Sequence, residues 1–302
     1  MSGAVSTAAV FEPLPTQPVP ALRRAGGLAE LFWVGGFSTF LLPLSWWLRR
    51  ALGLDDAELA VGFVTFYAAH LVNDPHFAVT YLLFYRELRP RAFGQQFPPG
   101  LRASYRLVAF GAPLLLLGWI ASAFWLRSAP ILGALNQLMI LLVGWHYTKQ
   151  GFGVLSVLSA RRGLRFAHSE RRAILAHCYA GWAYAWASPF DPGRAVEQKG
   201  VVYTTFAHPG WLEPLTLTAL LCTLPPLLWL VWRRWRERTL LPVAGPLATF
   251  LTSVWLWVIF SSADPLLRYV IPALHCVQYL YFVWLLKGNE ALEREQAPHF
   301  EP

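Results

Sequence analysis

The chain has 302 residues, of which 56% are hydrophobic, 15% aromatic and only 14% charged, and its mean hydropathy is +0.40. This composition excludes an ordinary soluble domain and a disordered chain, because both classes carry more charge and less apolar surface. The net charge of +8 does not indicate a nucleic-acid partner, because the basic residues lie in short clusters between long apolar runs. We therefore predict an all-α polytopic protein of the lipid bilayer, without a nucleic-acid partner.

The N-terminal segment differs from the rest of the chain. It contains four prolines and no basic residue before Arg23, so it lacks the charged start and compact apolar stretch of a signal peptide. We predict a flexible N-terminal tail over residues 1–27, a transmembrane domain over 28–287 and a C-terminal tail over 288–302.

The transmembrane domain contains eight apolar segments near the length of about 20 residues that a helix needs to cross a bilayer. They cover residues 28–48, 58–85, 107–125, 131–159, 173–190, 212–232, 241–263 and 266–287. Eight crossings put both termini on one side, which then carries 18 of the 25 basic residues, against six on the other side. By the positive-inside rule, both termini are predicted to be cytoplasmic, in the inner membrane of a bacterium.

The second segment contains its own helix breaker. Pro75 cannot donate a backbone hydrogen bond, and it disfavours helical geometry at Asp74. The sequence Asn73-Asp74-Pro75 therefore predicts a kinked second helix, with a bend or an unwound turn at membrane depth. Irregular backbone at that depth has to face protein or a water-filled cavity.

Five of the eight histidines fall inside predicted spans; His177 lies one turn into its span, near the cytoplasmic face, and four lie deeper: His70, His76, His146 and His275. Counted along their helices from the cytoplasmic ends, they lie about 15 to 24 Å deep, in a single layer of the membrane. Ionisable residues at such depth are costly and usually mark a site or a pathway. We predict that these histidines share one site; the alternative is that each makes a separate interhelical hydrogen bond.

Each of these helices carries further polar residues one turn from a histidine, a spacing that places them on the same helix face. They are Asn73 and Asp74 after His70, Lys149 and Gln150 after His146, and Gln278 and Tyr279 after His275. We predict that Asp74 is either a metal ligand or a carboxylate that orients one, and that Asn73, Gln150, Gln278 and Tyr279 surround the site. Lys149 is predicted either to form an ion pair with Asp74 or to face the substrate or donate a proton. If Asp74 binds the metal, Lys149 is predicted to balance the charge of that carboxylate without binding the metal itself.

Three chemistries can use such residues. Imidazoles with a carboxylate and open coordination positions suit non-haem iron, and also copper or zinc. Two histidines on different helices can hold a haem. Ionisable groups at a broken helix can instead carry protons or ions in a transporter.

The segments that carry these residues also resemble known proteins. The runs 73–77, with Thr80 and Tyr81, 145–153 and 275–279 look like the signature segments of an uncharacterised bacterial multi-spanning family. The chain also resembles the Brp/Blh carotene dioxygenases, all-helical membrane proteins of about this size that hold iron with intramembrane histidines. Phe77 follows His76 where those enzymes have a Gly-rich motif, so the resemblance does not extend to their substrate.

The resemblance implies oxidation of a lipid-soluble substrate by dioxygen. Together with the buried histidines, it leads to the hypothesis of a membrane-embedded non-haem iron oxygenase or oxidase with His70, His76, His146 and His275 as ligands. The alternatives are a proton- or ion-coupled transporter and then a haem protein.

Overall fold

The computed structural model describes residues 27–187, 195–198 and 201–295, and within these ranges the regular elements are helices apart from one short hairpin. The elements are α1 Gly27–Trp33, α2 Gly36–Leu52, α3 Leu54–Tyr85, α4 Leu88–Phe93, α5 Pro99–Trp125, α6 Ala129–Arg161, α7 His168–Ala187, β1 Ala195–Gln198, β2 Val201–Thr204, α8 Leu212–Arg236, α9 Leu240–Ala263 and α10 Pro265–Glu295. The predicted N-terminal tail lies almost wholly outside the described residues, whereas α10 continues eight residues past 287.

Five helices are long and apolar enough to cross a membrane: α5, α6, α8, α9 and residues 266–291 of α10. A sixth crossing is formed if α1 and α2 are taken as one span. The chain is therefore an all-α protein with the composition of a polytopic membrane protein. Helices α3 and α7 cover the second and fifth predicted spans but are not in this set, and both carry several charged side chains. The count of eight stays a prediction.

The first predicted span, 28–48, is not one helix. Helices α1 and α2 meet at an angle of 69°. Gly35 lies at the junction with a φ of 81°, and a Cβ atom there would collide with the ring of Trp257. The bend therefore requires glycine, both for its backbone conformation and for the close approach of the tryptophan.

The second predicted span is more regular than expected. Helix α3 runs through Pro75 without interruption, so the unwound turn predicted at Asp74-Pro75 is not formed. Membrane helices tolerate proline because only one backbone hydrogen bond is lost and neighbouring groups can compensate. Along its length α3 packs against α10, and this packing positions the candidate site.

The centre of the bundle is built by α6, α7, α8 and α9. Leu155, Ile174, Leu220 and Phe250 come from these four helices and are at most 1% exposed. A two-stranded antiparallel hairpin, β1–β2, packs against the first turns of α6, where Gly133 allows the backbone of Thr204 to approach closely.

Candidate metal centre

Three of the four predicted histidines meet at one point. His76 comes from α3, His146 from the middle of α6 and His275 from α10. Each offers one ring nitrogen, and the three nitrogens all lie within 4.8 Å of one another. His76 and His275 are 5% and 3% exposed, whereas His146 lies at the outer surface of the bundle. The cluster is therefore anchored inside the protein and open on one side.

The closest pair in this cluster has a separation that suits a shared metal ion. The Nε2 atoms of His146 and His275 are 3.1 Å apart. Two nitrogens at about 2.0–2.1 Å from one metal would subtend an angle near 98° at that separation, between octahedral and tetrahedral values. Without a metal, one of these Nε2 atoms has to donate a hydrogen bond to the other.

The same distance does not suit a haem held between these two histidines. Axial nitrogens on opposite sides of a porphyrin iron are about 4 Å apart, because each bond is about 2.0 Å long. The rings of His146 and His275 instead meet edge to face, with centroids 4.7 Å apart. A flat macrocycle has no room between them.

Further buried polar atoms near the cluster lack hydrogen-bond partners. They include Nδ1 of His76, Nδ1 of His275 and Oδ1 of Asn73, which lies one turn before His76 on α3. Buried polar atoms without a partner are rare in folded proteins and call for an explanation, such as an ion or a water. Separately from these atoms, the converging nitrogens of the three imidazoles fit a transition metal such as iron, copper or zinc, for which neutral imidazole is a common ligand.

Two glutamines connect the cluster to the surrounding helices. Gln150 Nε2 donates to the backbone oxygen of His275 at 3.1 Å and to Oε1 of Gln278 at 2.7 Å. Gln278, which is fully buried, donates in turn to the backbone oxygen of Val34 at 2.7 Å. Both glutamines were singled out in the sequence, and here they hold α6, α10 and the end of α1 together beside the histidines.

Two aromatic rings pack on the imidazoles. Tyr279 lies edge-on to His76, with ring centroids 4.4 Å apart. The ring of Tyr147 lies 4.3 Å from that of His275. The one-turn spacing rule predicted Tyr279 but missed Tyr147, because Tyr147 is adjacent to His146 in sequence and contacts a histidine of another helix.

His70 and Asp74 are not part of this cluster. His70 Nδ1 lies 3.0 Å from Asp74 Oδ2 on the outer face of α3, and both side chains are more than 60% exposed. Because α3 is a continuous helix, the six residues between His70 and His76 leave their side chains about 120° apart around its axis. The sequence predicted a site of four histidines with a nearby carboxylate. The structure brings together three of these histidines, without His70 and without Asp74.

Lys149 does not pair with Asp74. Its ammonium group donates to Tyr179 Oη at 3.3 Å and lies 5.6 Å from the centre of the same ring. The ion pair predicted between the two charged residues is absent because Asp74 is bonded within α3 and Lys149 faces α7.

Another buried histidine, His177 on α7, has a structural role. Its Nε2 accepts a hydrogen bond from Trp255 at 3.1 Å, and its Nδ1 lies 2.9 Å from Thr223 Oγ1. Because Nε2 accepts, Nδ1 carries the proton and donates. Both ring nitrogens are therefore satisfied in a fully buried position.

Comparisons with protein-family models, curated proteins and solved structures find no match to this chain.

Proposed function

We propose that the chain is a membrane-embedded, metal-dependent oxidoreductase, with non-haem iron held by His76, His146 and His275. The observation that carries the proposal is the convergence of three imidazoles from three helices, with ligand nitrogens within 4.8 Å of one another. The 3.1 Å separation of the Nε2 atoms of His146 and His275 adds to it, because it suits two nitrogens bound to one metal. Bound iron would supply the electron-transfer and dioxygen chemistry that side chains lack.

The substrate is proposed to be apolar or lipid-like and to arrive from the bilayer. His146 lies at the bundle surface, and its helix neighbours Met139 and Leu142 are each more than half exposed. His76 and His275 lie behind it, packed against Tyr279 and Tyr147, so that water is excluded from the inner side of the cluster. A molecule dissolved in the membrane can therefore approach the open side directly.

The proposed topology is that predicted from the sequence. It has eight crossings with both termini in the cytoplasm of a bacterium, and it is supported by the uneven distribution of basic residues. Helices α3 and α7 are less hydrophobic than the other proposed spans. This is compatible with their crossing the membrane, because their polar residues include His76, Glu170 and His177, which are buried inside the protein.

Two observations favour this proposal over its alternatives. A transporter was suggested by Asp74, Lys149 and the histidines at a broken second helix, but that helix is continuous, and Asp74 and Lys149 have different partners. A haem was suggested by two facing histidines, but these approach too closely for an intervening porphyrin.

The test is the metal content of detergent-purified protein. Wild-type protein is expected to contain close to one iron per chain, or to take it up anaerobically. His76→Ala is expected to lose most of it, because one of three ligands is removed. His70→Ala is the matched control: it removes an imidazole from the same helix, six residues away, and is expected to keep the metal.

A second pair of variants separates the centre from the protein's other histidines. His146→Ala is expected to lose iron and any oxygen-dependent turnover, whereas His168→Ala, at the first turn of α7, is expected to keep its iron. Wild-type protein that binds neither iron, copper nor zinc would contradict the proposal. A Soret absorption band would instead support a haem protein.

A further inference from the structure

The open side of the candidate centre continues into a stripe along α6. Met139, Leu142, His146 and Lys149 follow one another at three- and four-residue intervals, which places them on one helix face. Met139 and Leu142 are 54% and 52% exposed, and His146 is exposed as well. An extended molecule lying on this stripe would contact apolar side chains, then the histidine centre, then a cation.

That cation has no acidic partner among the described residues. Lys149 lies about 18 Å from the end of α6 along the helix axis, well inside the apolar segment. Within the described part of the chain, its ammonium contacts Tyr179 Oη and lies over the rings of Tyr179 and Phe152, 5.9 Å from the centre of the latter. An ammonium at such depth is costly and marks a functional position by default.

A second cation lies at the same ring. The guanidinium of Arg171, on α7, is 5.8 Å from the centre of Phe152. The adjacent acidic residue, Glu170, does not neutralise it, because its carboxylate is bonded to Arg233 and Arg234 on α8. Two positive charges, neither with an acidic partner in the ranges that the structure describes, therefore flank one aromatic ring at the predicted cytoplasmic end of the stripe.

A cavity lies beside Arg171. This cavity, of about 480 Å³, is lined by Phe166, His168, Arg171, Arg172 and Leu175, with no acidic side chain among them. On α7, Leu175 and Tyr179 follow Arg171 at one-turn spacing, and Tyr179 accepts the hydrogen bond from Lys149. Arg171 links the two regions, because it lines the cavity and its guanidinium lies 5.8 Å from the ring of Phe152 on α6.

We call the stripe of α6, from Met139 to Lys149, together with Phe152 and Arg171, the groove. We infer that the groove binds an anionic amphiphile, a long apolar chain with a carboxylate or phosphate head group, and that this is the substrate class of the candidate centre. The head group lies between Lys149 and Arg171, and the apolar chain runs past His146 towards Leu142 and Met139. The inference that the amphiphile is a substrate rests on the proposed function. Its binding in the groove does not require the metal.

The geometry also limits where the chain meets the centre. On α6, His146 is three residues from Lys149 and six from Phe152, which corresponds to about 4.5 and 9 Å along the helix axis. The part of the molecule next to the histidines is therefore a chain segment about 5–9 Å from the head group rather than the head group itself.

The test measures binding to metal-free protein in a neutral detergent. The anionic probes are oleate and lysophosphatidate, and the neutral probes of similar chain are oleyl alcohol and monoolein. At least one anionic probe is expected to bind ten or more times more tightly than its neutral counterpart. Lys149→Gln and Arg171→Gln are each expected to reduce this preference several-fold, and Lys149→Arg to retain it.

The matched control is Arg89→Gln, which removes one exposed cation from α4, away from the groove. It is expected to leave the preference unchanged. Tight binding of oleate alone identifies a carboxylate, and tight binding of lysophosphatidate alone identifies a phosphate. Equal binding of anionic and neutral probes, or a preference that survives both Lys149→Gln and Arg171→Gln, overturns the inference.

Metal content is measured on the same samples, so the two hypotheses can fail separately. Wild-type protein that binds the anionic probe but takes up no metal contradicts the proposed enzyme and supports the inferred binding groove. Wild-type protein that takes up metal but does not distinguish the probes contradicts the groove alone. Lys149→Gln is expected to keep its metal, which also shows that the variant is folded.

Discussion

At the scale of single residues, Gln278 shows how the centre is supported. Its side-chain amide is fully buried and joins three chain segments, since it donates to Val34 and accepts from Gln150. Gln150 also reaches the backbone oxygen of His275. Such a network stabilises the site only while every member is satisfied, because an unpaired polar group is expensive in an apolar interior.

We expect Gln278→Leu to destabilise the protein and to loosen the centre. The substitution leaves the Val34 oxygen without its donor and removes the acceptor of Gln150, at a cost of about 1–3 kcal/mol for each buried group. The measurements are the midpoint of thermal unfolding in detergent and the metal content. Gln137→Leu is the control, because Gln137 makes one exposed hydrogen bond, to the backbone of Phe206; similar losses in both variants would contradict this role.

At the scale of elements, α3 illustrates the difference between a helix and its orientation. The proline signal predicted an interruption, yet the helix continues through Pro75, and its packing against α10 selects the face that carries His76. A kink was invoked to turn His70 and His76 towards one site. Without an interruption, only one of them can face the partner helix.

A buried ionic contact joins α7 to α8. The Glu170 carboxylate, 5% exposed, binds Arg234 and Arg233 and accepts from the backbone N–H of Ala167. Burial by itself would raise the pKa of Glu170, but the hydrogen bonds from Arg234 and Ala167 and the two positive charges hold it below its usual value. The carboxylate therefore stabilises the fold above the pKa of an unfolded glutamate, and this stabilisation is lost as the pH falls through the lowered value.

Glu170→Gln is accordingly expected to reduce stability at neutral pH by about 3–5 kcal/mol, because it leaves two arginines without their buried partner. It should also reduce the loss of stability on acidification, since the titrating group is gone. Thermal unfolding across an acid pH series measures both effects. Glu87→Gln, which breaks an exposed pair with Arg91, is expected to cost no more than about 1 kcal/mol, and an equal cost for the two variants would contradict the assignment.

At the scale of the whole molecule, polar contacts gather the helix ends into two groups. At one end, Glu30 binds Arg161 and Arg162 and lies 3.3 Å from the hydroxyl of Tyr281. At the other end, Asp264 binds Arg49 at 3.3 Å. Two such groups of helix ends are expected if the helices cross a membrane in alternating directions.

Reporter fusions after Gly163 and after Gly210 test the sidedness. Gly163 follows α6 at the end that is rich in arginine, whereas Gly210 precedes α8 at the opposite end. We expect a cytoplasmic signal from Gly163 and an extracytoplasmic signal from Gly210. The same signal from both would mean that α7 does not cross, and the predicted layer of histidines would have to be abandoned.

Much of this protein follows from the sequence by itself. The apolar runs predict helices in a bilayer, because a backbone in hydrocarbon has to satisfy its hydrogen bonds internally. Helical rise then predicts that His76, His146 and His275 lie in one layer, since the predicted depth depends only on position along each helix. The polar residues one turn away, Gln278 among them, follow from the same local periodicity.

Only the tertiary structure decided which of these residues meet. His70 and His76 lie on one helix at similar depth, and local sequence cannot tell which of their faces points inward. That choice depends on how α3 rotates and packs against α10, which is set by side chains distant in sequence. The same holds for Lys149, which faces Tyr179 of α7 rather than Asp74. Depth is a local property of a helix, whereas contact between helices is a property of the whole bundle.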